Sequence, residues 1–255
     1  MPQIRVHERA LAHLSRGLYR SPASALRELV SNAWDANATQ VIIDTNHPNF
    51  FQLVIEDKGE GFSREDFETL MGGGIGNSTK RTQAPKLNWG RPTIGRLGIG
   101  MLGIAQICGS FRVISRPRTG KGFRARVILY DLAKTQWNDP SSPLVHKTFD
   151  SLQGEAITDT IVDVGSYEFE DFEETEYPCG TRILVDDVVP QFTEAFHQSL
   201  QFGRISDVPR EWQKAVTTIL HNATSLQELG DYWRLLWELS VACPLPYQIM
   251  LFQLR

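Results

Sequence analysis

The stretch Leu26-Arg27-Glu28-Leu29-Val30-Ser31-Asn32-Ala33-Trp34-Asp35-Ala36 lies inside the first strong helical pattern of the 255-residue chain. Ser21-Pro22 precedes it as a serine N-cap followed by proline at the first helical position, so a helix is predicted over Ser21–Asn37. At about 100° per residue, Glu28, Asn32 and Asp35 fall within about 60° of one another on one face. Leu26, Leu29, Val30 and Ala33 take the opposite side. A carboxylate, an amide and a second carboxylate thus form a polar ridge on a helix whose back is apolar. Such a ridge can meet a hard cation and orient a water, and it is also how a helix presents an ordinary solvent face.

Downstream, Val41–Thr45 and Phe51–Glu56 read as strands joined through Asn46-His47-Pro48-Asn49. Asp57-Lys58-Gly59-Glu60-Gly61 follows directly. Two glycines around a tight turn let a ligand approach the backbone, and an Asp at a strand end can accept a hydrogen bond from an exocyclic amine. Ser63 and Asp66 give a capping pattern for a short helix, Arg64–Met71. Met71–Arg96, rich in Gly, Asn, Ser, Thr and Pro, is a long loop of the kind that is usually functional. Gly95-Arg96-Leu97-Gly98-Ile99-Gly100 opens a buried helix expected over Leu97–Cys108, where glycines would expose N–H groups and the positive dipole end to phosphate oxygens. This segment lacks the flanking features of a Rossmann fingerprint and the Gly-Lys-Ser/Thr of a P-loop. Gly180-Thr181 leads a further strand and offers a hydroxyl to a base edge.

In this order and spacing, Glu28-x3-Asn32-x2-Asp35-Ala36, Asp57-x-Gly59-x-Gly61, Gly95-x2-Gly98-x-Gly100 and Gly180-Thr181 resemble the GHKL superfamily. Its members include gyrase B-type, Hsp90-type, histidine-kinase and MutL-type ATP-binding domains, with the MORC ATPases close by. The resemblance covers about Ala10 to Val188, and Leu26–Ala36 looks most like the Hsp90 and MutL branches. It implies an α+β Bergerat fold, a mixed and largely antiparallel sheet with helices on one face, that binds ATP with Mg²⁺. Carried over by residue, Glu28 is the general base that activates water and Asn32 coordinates Mg²⁺. Asp35 belongs to the same motif and braces the ridge. Asp57 receives the adenine amino group, Gly59 and Gly61 make room for the base, and Thr181 supports Asp57. Gly95 opens the phosphate loop, and Gly98 and Gly100 line the phosphates. Residues 71–96 become the ATP lid, with Lys80 in Gly74-Ile75-Gly76-Asn77-Ser78-Thr79-Lys80 as a phosphate contact.

Glu28 separates the hydrolases from the histidine kinases, which usually carry Asn at that place. His7-Glu8-Arg9 superficially resembles a phospho-acceptor box but stands too close to Asn32, and His7 is expected instead on an N-terminal helix. The resemblance therefore implies an ATPase that hydrolyses slowly and forms an ATP-dependent homodimer, a clamp acting on a protein client or a nucleic acid. Members of this kind include chaperones, mismatch-repair factors, DNA compactors and bacterial defence ATPases. The alternative is a nucleotide-responsive regulatory or scaffold module with little turnover.

The composition agrees with a soluble globular chain. Lys+Arg 26 against Asp+Glu 30 gives a net charge of −4, hydrophobic residues make up 41%, and the three cysteines have neither disulfide nor zinc spacing. No run reaches the roughly 20 apolar residues of a membrane span, and a cytoplasmic location without membrane contact is expected. Charge is uneven: Thr69–Tyr130 carries eleven bases and no acid, whereas Asp131–Pro190 carries fourteen acids and three bases. The first stretch would meet anions, including phosphates, nucleic acid or the acidic segment itself. Glu168–Glu176 reads as a solvated loop or an edge strand. Strands are expected at Phe111–Ser115, Phe123–Leu129, Ile157–Val164 and Thr181–Val185, and helices at Gln191–Phe202, Arg210–Leu220 and Leu226–Val241. The resulting plan is an ATP-binding domain over 1–190 and a helical extension over 191–255. The apolar run ending in Leu251-Phe252-Gln253-Leu254 reads as the cut end of a longer protein or as a docked strand.

Overall fold

The computed structural model describes residues 1–7, 22–72, 100–130, 141, 143, 145–149, 158–172, 177–199, 230–240 and 251–254. The strands are β1 (Gln3–His7), β2 (Gln40–Asp44), β3 (Leu53–Asp57), β4 (Ser110–Arg116), β5 (Phe123–Leu129), β6 (Val145–Phe149), β7 (Thr158–Glu170), β8 (Gly180–Val185) and β9 (Leu251–Leu254). The helices are α1 (Pro22–Asp35), α2 (Arg64–Gly72), α3 (Pro190–Ser199) and α4 (Asp231–Ser240), with a 3-10 segment at Gly100–Gln106.

All nine strands join one sheet in the order β1-β7-β5-β4-β8-β3-β2-β9, with β6 added to β7. Every pairing is antiparallel except β2 with β9, which is parallel. The fold is thus the α+β, mixed and largely antiparallel arrangement expected for the GHKL class. Strand alternation creates its core. Ile43, Ile55, Val113, Ala125 and Ile183 turn to the buried face, where Leu26, Leu29, Val30 and Ala33 of α1 join them in one cluster.

The short helix α2 starts with a reciprocal cap. The Asp66 N–H donates to Ser63 Oγ at 3.1 Å, and the Ser63 N–H donates back to Asp66 Oδ2 at 3.0 Å. Its Phe67 packs on Phe123 and Tyr167, each with ring centroids 5.2 Å away. A second aromatic group brings the C-terminal elements onto the same core. Phe50 lies 5.2 Å from Phe196 of α3 and 4.8 Å from Tyr232 of α4, and the Tyr232 hydroxyl meets Thr45 Oγ1 at 3.1 Å.

Three sequence readings need correction. His7 lies on β1, opposite Ile161, and not on a helix. The alternation of buried Ile4 and Val6 with exposed Arg5 has period two, which is a strand signal. The described part of Leu97–Cys108 is the 3-10 segment Gly100–Gln106, not an α-helix. Gly100 and Gly103 deprive this short run of helix propensity, and it closes on a tight bond from the Ile107 N–H to Ile104 O at 2.8 Å. The strand expected over Ile157–Val164 is the 13-residue β7, which continues through Glu170. Its acidic end pairs with basic β5, placing Glu168 opposite Arg126 and Glu170 opposite Arg124. Strands β1, β6 and β9 lack the longer alternation by which the others are recognised. Ser21, Arg210–Leu220, the greater part of the lid and the residues Lys80, Gly95 and Gly98 lie outside the described residues.

Candidate nucleotide site

The ridge helix α1 buries the side its sequence assigns to the core. Leu26, Val30 and Ala33 are 0%, 0% and 3% exposed, while Glu28, Asn32 and Asp35 are half-buried on the other side. The helix ends in a Schellman motif: the Ala38 N–H donates to Ala33 O at 2.9 Å, and the Asn37 N–H donates to Trp34 O at 3.0 Å. Asn37 takes the left-handed conformation this end requires, with φ 56°. Burial holds the Glu28 carboxyl above its ordinary range; the Arg27 charge opposes this shift and the Asp35 charge reinforces it. A carboxylate moved in this direction retains a transferred proton more readily than a solvated one.

The chain leaves α1, runs through the hairpin of β2 and β3, and returns beside the helix end. Asp57 closes β3, where it pairs with Val41 of β2 and Thr181 of β8. Its Oδ1 accepts the Gly59 N–H at 2.8 Å. Burial raises its pKa to about 6, against the lowering effect of backbone hydrogen bonds from Gly59 and Thr181. At neutral pH the group is therefore an ionised acceptor held among buried atoms. A carboxyl whose folded pKa is raised contributes stability below its unfolded value and loses it as pH rises through the folded value. The unliganded wild type is expected to lose up to about 3 kcal/mol relative to Asp57→Asn between about pH 4 and pH 7. Thermal melts across that range check this, and parallel curves would show that Asp57 carries no such burden.

Protein neighbours demand the glycines around Asp57. A Cβ on Gly59 would stand 2.7 Å from Ala36 O, and one on Gly61, whose φ is +63°, would strike Arg116 O. Gly180, with φ +133°, has the Asp57 carbonyl where its Cβ would be. These close approaches bring the Asp57–Gly61 turn against the end of α1 on one side and the start of β8 on another. The Glu60 N–H donates to Ala36 O at 2.8 Å, and Asn37 Nδ2 donates to Glu60 Oε1 at 2.9 Å.

Thr181 is buried beside Asp57, and its Oγ1 lies 3.1 Å from Ser115 Oγ. Ser115, fully buried on β4, also accepts the Phe62 N–H at 2.9 Å. The sequence reading passed over Ser115. Its signal is a hydroxyl at an inward strand position, in alternation with buried Phe111 and Val113. Of the phosphate-loop glycines, Gly100 begins the 3-10 segment, which packs against α1. The structure therefore brings Asp57, Gly59, Gly61 and Thr181 together at one end of the sheet and sets Glu28, Asn32 and Asp35 on the helix adjoining it. The donors on that ridge are amide and carboxylate oxygens, the type that suits Mg²⁺. Among the described residues, no group of three His, Cys, Asp or Glu side chains is placed to hold a metal. Asn32, Glu28 and Asp35 are the residues of the ridge that could each offer such an oxygen to a cation.

Comparison with known proteins defines the class of domain to which this cluster belongs. The family described as histidine kinase-, DNA gyrase B-, and HSP90-like ATPase matches residues 19–157, more than half of the chain, and the chain belongs to it. It is an ATP-binding domain of the ATPase type. The putative type II restriction enzyme HgiDII of Herpetosiphon aurantiacus is 40% identical over 105 residues, which are 41% of this chain and 16% of that protein. The DNA mismatch repair protein MutL of Microcystis aeruginosa is 33% identical over 96 residues, 38% of this chain and 16% of its own length. MutL of Halalkalibacterium halodurans is 31% identical over 86 residues, 34% and 13% respectively. The matched part of the chain thus spans about a sixth or less of these relatives.

Proposed function

We propose that the chain binds ATP with Mg²⁺ and hydrolyses it slowly, as the ATPase head of a clamp whose dimerisation follows nucleotide. The observation that carries this reading is the half-buried Asp57, fixed by backbone N–H groups among glycines and beside Thr181. Asp57 accepts the adenine amino group. Asn32 holds the cation, which supplies charge neutralisation at the phosphates when bound. Glu28 takes a proton from the attacking water as oxygen bonds to the γ-phosphorus, and the bond from that phosphorus to the leaving oxygen breaks to give ADP and phosphate. Asp35 raises the proton affinity of Glu28. Gly95, Gly98, Gly100 and Lys80 receive the phosphates from the loop and lid. Residues 1–190 form the ATP-binding domain and 191–255 its extension. Calorimetric titration with ATP, paired with phosphate release, tests the reading.

The names of the relatives, a restriction enzyme and mismatch-repair proteins, favour a DNA-associated assembly over a chaperone. The basic stretch does not make this chain itself the DNA reader. Arg112 pairs with Asp186, and Arg124 and Arg126 face Glu170 and Glu168 across β5 and β7. Three of the eleven bases are thus matched by acids within the domain. Binding of duplex DNA by this chain is expected to be weaker than micromolar and to leave turnover unchanged. Fluorescence anisotropy at two salt concentrations checks this. Micromolar binding with a log–log salt slope of about −0.9 per neutralised phosphate would reverse it.

A further inference from the structure

We infer that Asn37 and Glu60 form a latch that positions the base-binding turn on the catalytic helix, making both residues determinants of ATP affinity. The inference rests on the reading of Asp57 as the carboxylate that receives adenine. Neither residue belongs to the motif positions: Glu60 is the unspecified residue between Gly59 and Gly61, and Asn37 follows the end of the ridge.

Their geometry is specific. Asn37 is 5% exposed and left-handed at φ 56°, so its side chain leaves the helix terminus toward the turn. Nδ2 donates to Glu60 Oε1 at 2.9 Å, the only arrangement a carboxylate acceptor allows. The Glu60 N–H donates to Ala36 O at 2.8 Å, so the turn is held by backbone and side chain at neighbouring points. The Asn37 Oδ1 is buried without a hydrogen-bond partner among the described residues. A buried amide oxygen left unpaired is costly. Asn is therefore not accounted for by satisfaction of its own polar atoms; its donor to Glu60 and its tolerance of the left-handed conformation are what it supplies. Gly59 explains why a latch matters. The turn presses on Ala36 with no side chain of its own at that point, so its seat on α1 depends on the residues on either side. The opposite end of the turn is tied to β4 and β8, where the Phe62 N–H meets Ser115 Oγ and the Cys179 thiol donates to Gly59 O at 3.2 Å. Release of the Asn37–Glu60 bond leaves the α1 side held by the Glu60 N–H on Ala36 O alone, and so loosens the direction in which Asp57 is presented.

The test uses the full chain in four forms: wild type, Asn37→Gly, Glu60→Ala and Glu60→Gln. Glycine keeps the left-handed backbone and removes the side chain that carries the donor. Glutamine keeps an acceptor oxygen and removes the charge. The Kd for ATP is expected to rise about tenfold in Asn37→Gly and Glu60→Ala, equivalent to about 1.4 kcal/mol, and to recover to within about threefold in Glu60→Gln. The double variant Asn37→Gly/Glu60→Ala should be no worse than either single one, because a single bond is lost. The turnover loss should fall on KM more than on kcat, a split that general destabilisation would not give. Wild-type Kd in Asn37→Gly, equal damage from Glu60→Gln and Glu60→Ala, or additive losses in the double variant would each overturn the latch. Asp57→Asn run alongside separates the two levels. If it binds ATP normally, the base-site reading falls and the latch with it; if it fails to bind while the latch variants bind normally, only the latch falls.

Discussion

Asp57→Asn is expected to abolish ATP binding and leave the fold in place. The carboxylate offers acceptor oxygens only, whereas the amide adds donors where the adenine amino group must itself donate. One mismatched pair in a buried site costs about 1–3 kcal/mol, and the loss of charge assistance adds to it. Stability moves differently. The wild-type carboxylate is ionised near neutrality despite burial, with a pKa raised to about 6, and this penalises the unliganded fold. The amide removes that penalty. It also places an NH₂ group near the Thr181 N–H, which in the wild type donates to the carboxylate, so gain and loss partly offset. The melting temperature at pH 7.5 should therefore stay within a few degrees of wild type. Calorimetry showing unchanged ATP affinity would remove Asp57 from the adenine site. A large fall in melting temperature would instead make its role structural.

The parts of this site legible in the sequence are those whose chemistry depends on local spacing. Glu28, Asn32 and Asp35 share a face because a helix repeats every 3.6 residues, and the apolar residues behind them fix which face it is. Asp57 could be placed at a strand end because a β-pattern stops at Asp57 and glycines follow. The contacts that span long stretches of chain could not be read this way. Ser115 reaches Thr181 across 66 residues, and Asn37 reaches Glu60 across 23. Each depends on strand order and register, which alternation within one strand does not encode. For the same reason β1 is hard to assign, since a five-residue strand is defined more by its partner β7 than by its own pattern, whereas β9 is the docked strand that the apolar run allows as one of two readings. The 3-10 segment at Gly100–Gln106 failed for a local reason, since its apolar residues mimic a buried helix while its glycines favour tighter winding.

Glu28→Ala should bind ATP with near-normal affinity and lose turnover by about 10²–10⁴-fold. A base acts on the proton that leaves the attacking water, an interaction that strengthens as the new oxygen–phosphorus bond forms and contributes little to ground-state ATP affinity. The environment of Glu28 suits this role: burial and the nearby Asp35 charge both raise its affinity for the proton, while the Arg27 charge opposes that rise. Glu28→Gln should be impaired nearly as much as Glu28→Ala, because the amide preserves size and hydrogen bonding but cannot accept the proton. Turnover in the wild type should cease when Mg²⁺ is chelated, because in the proposed function Asn32 acts on the phosphates only through the cation. Steady-state phosphate release across the three proteins, with ATP affinity measured separately, distinguishes the roles. A Glu28→Ala protein that hydrolyses ATP at the wild-type rate would make Glu28 a mere ridge residue. Equal losses in affinity and turnover would mean that the carboxylate shapes the site and takes no proton.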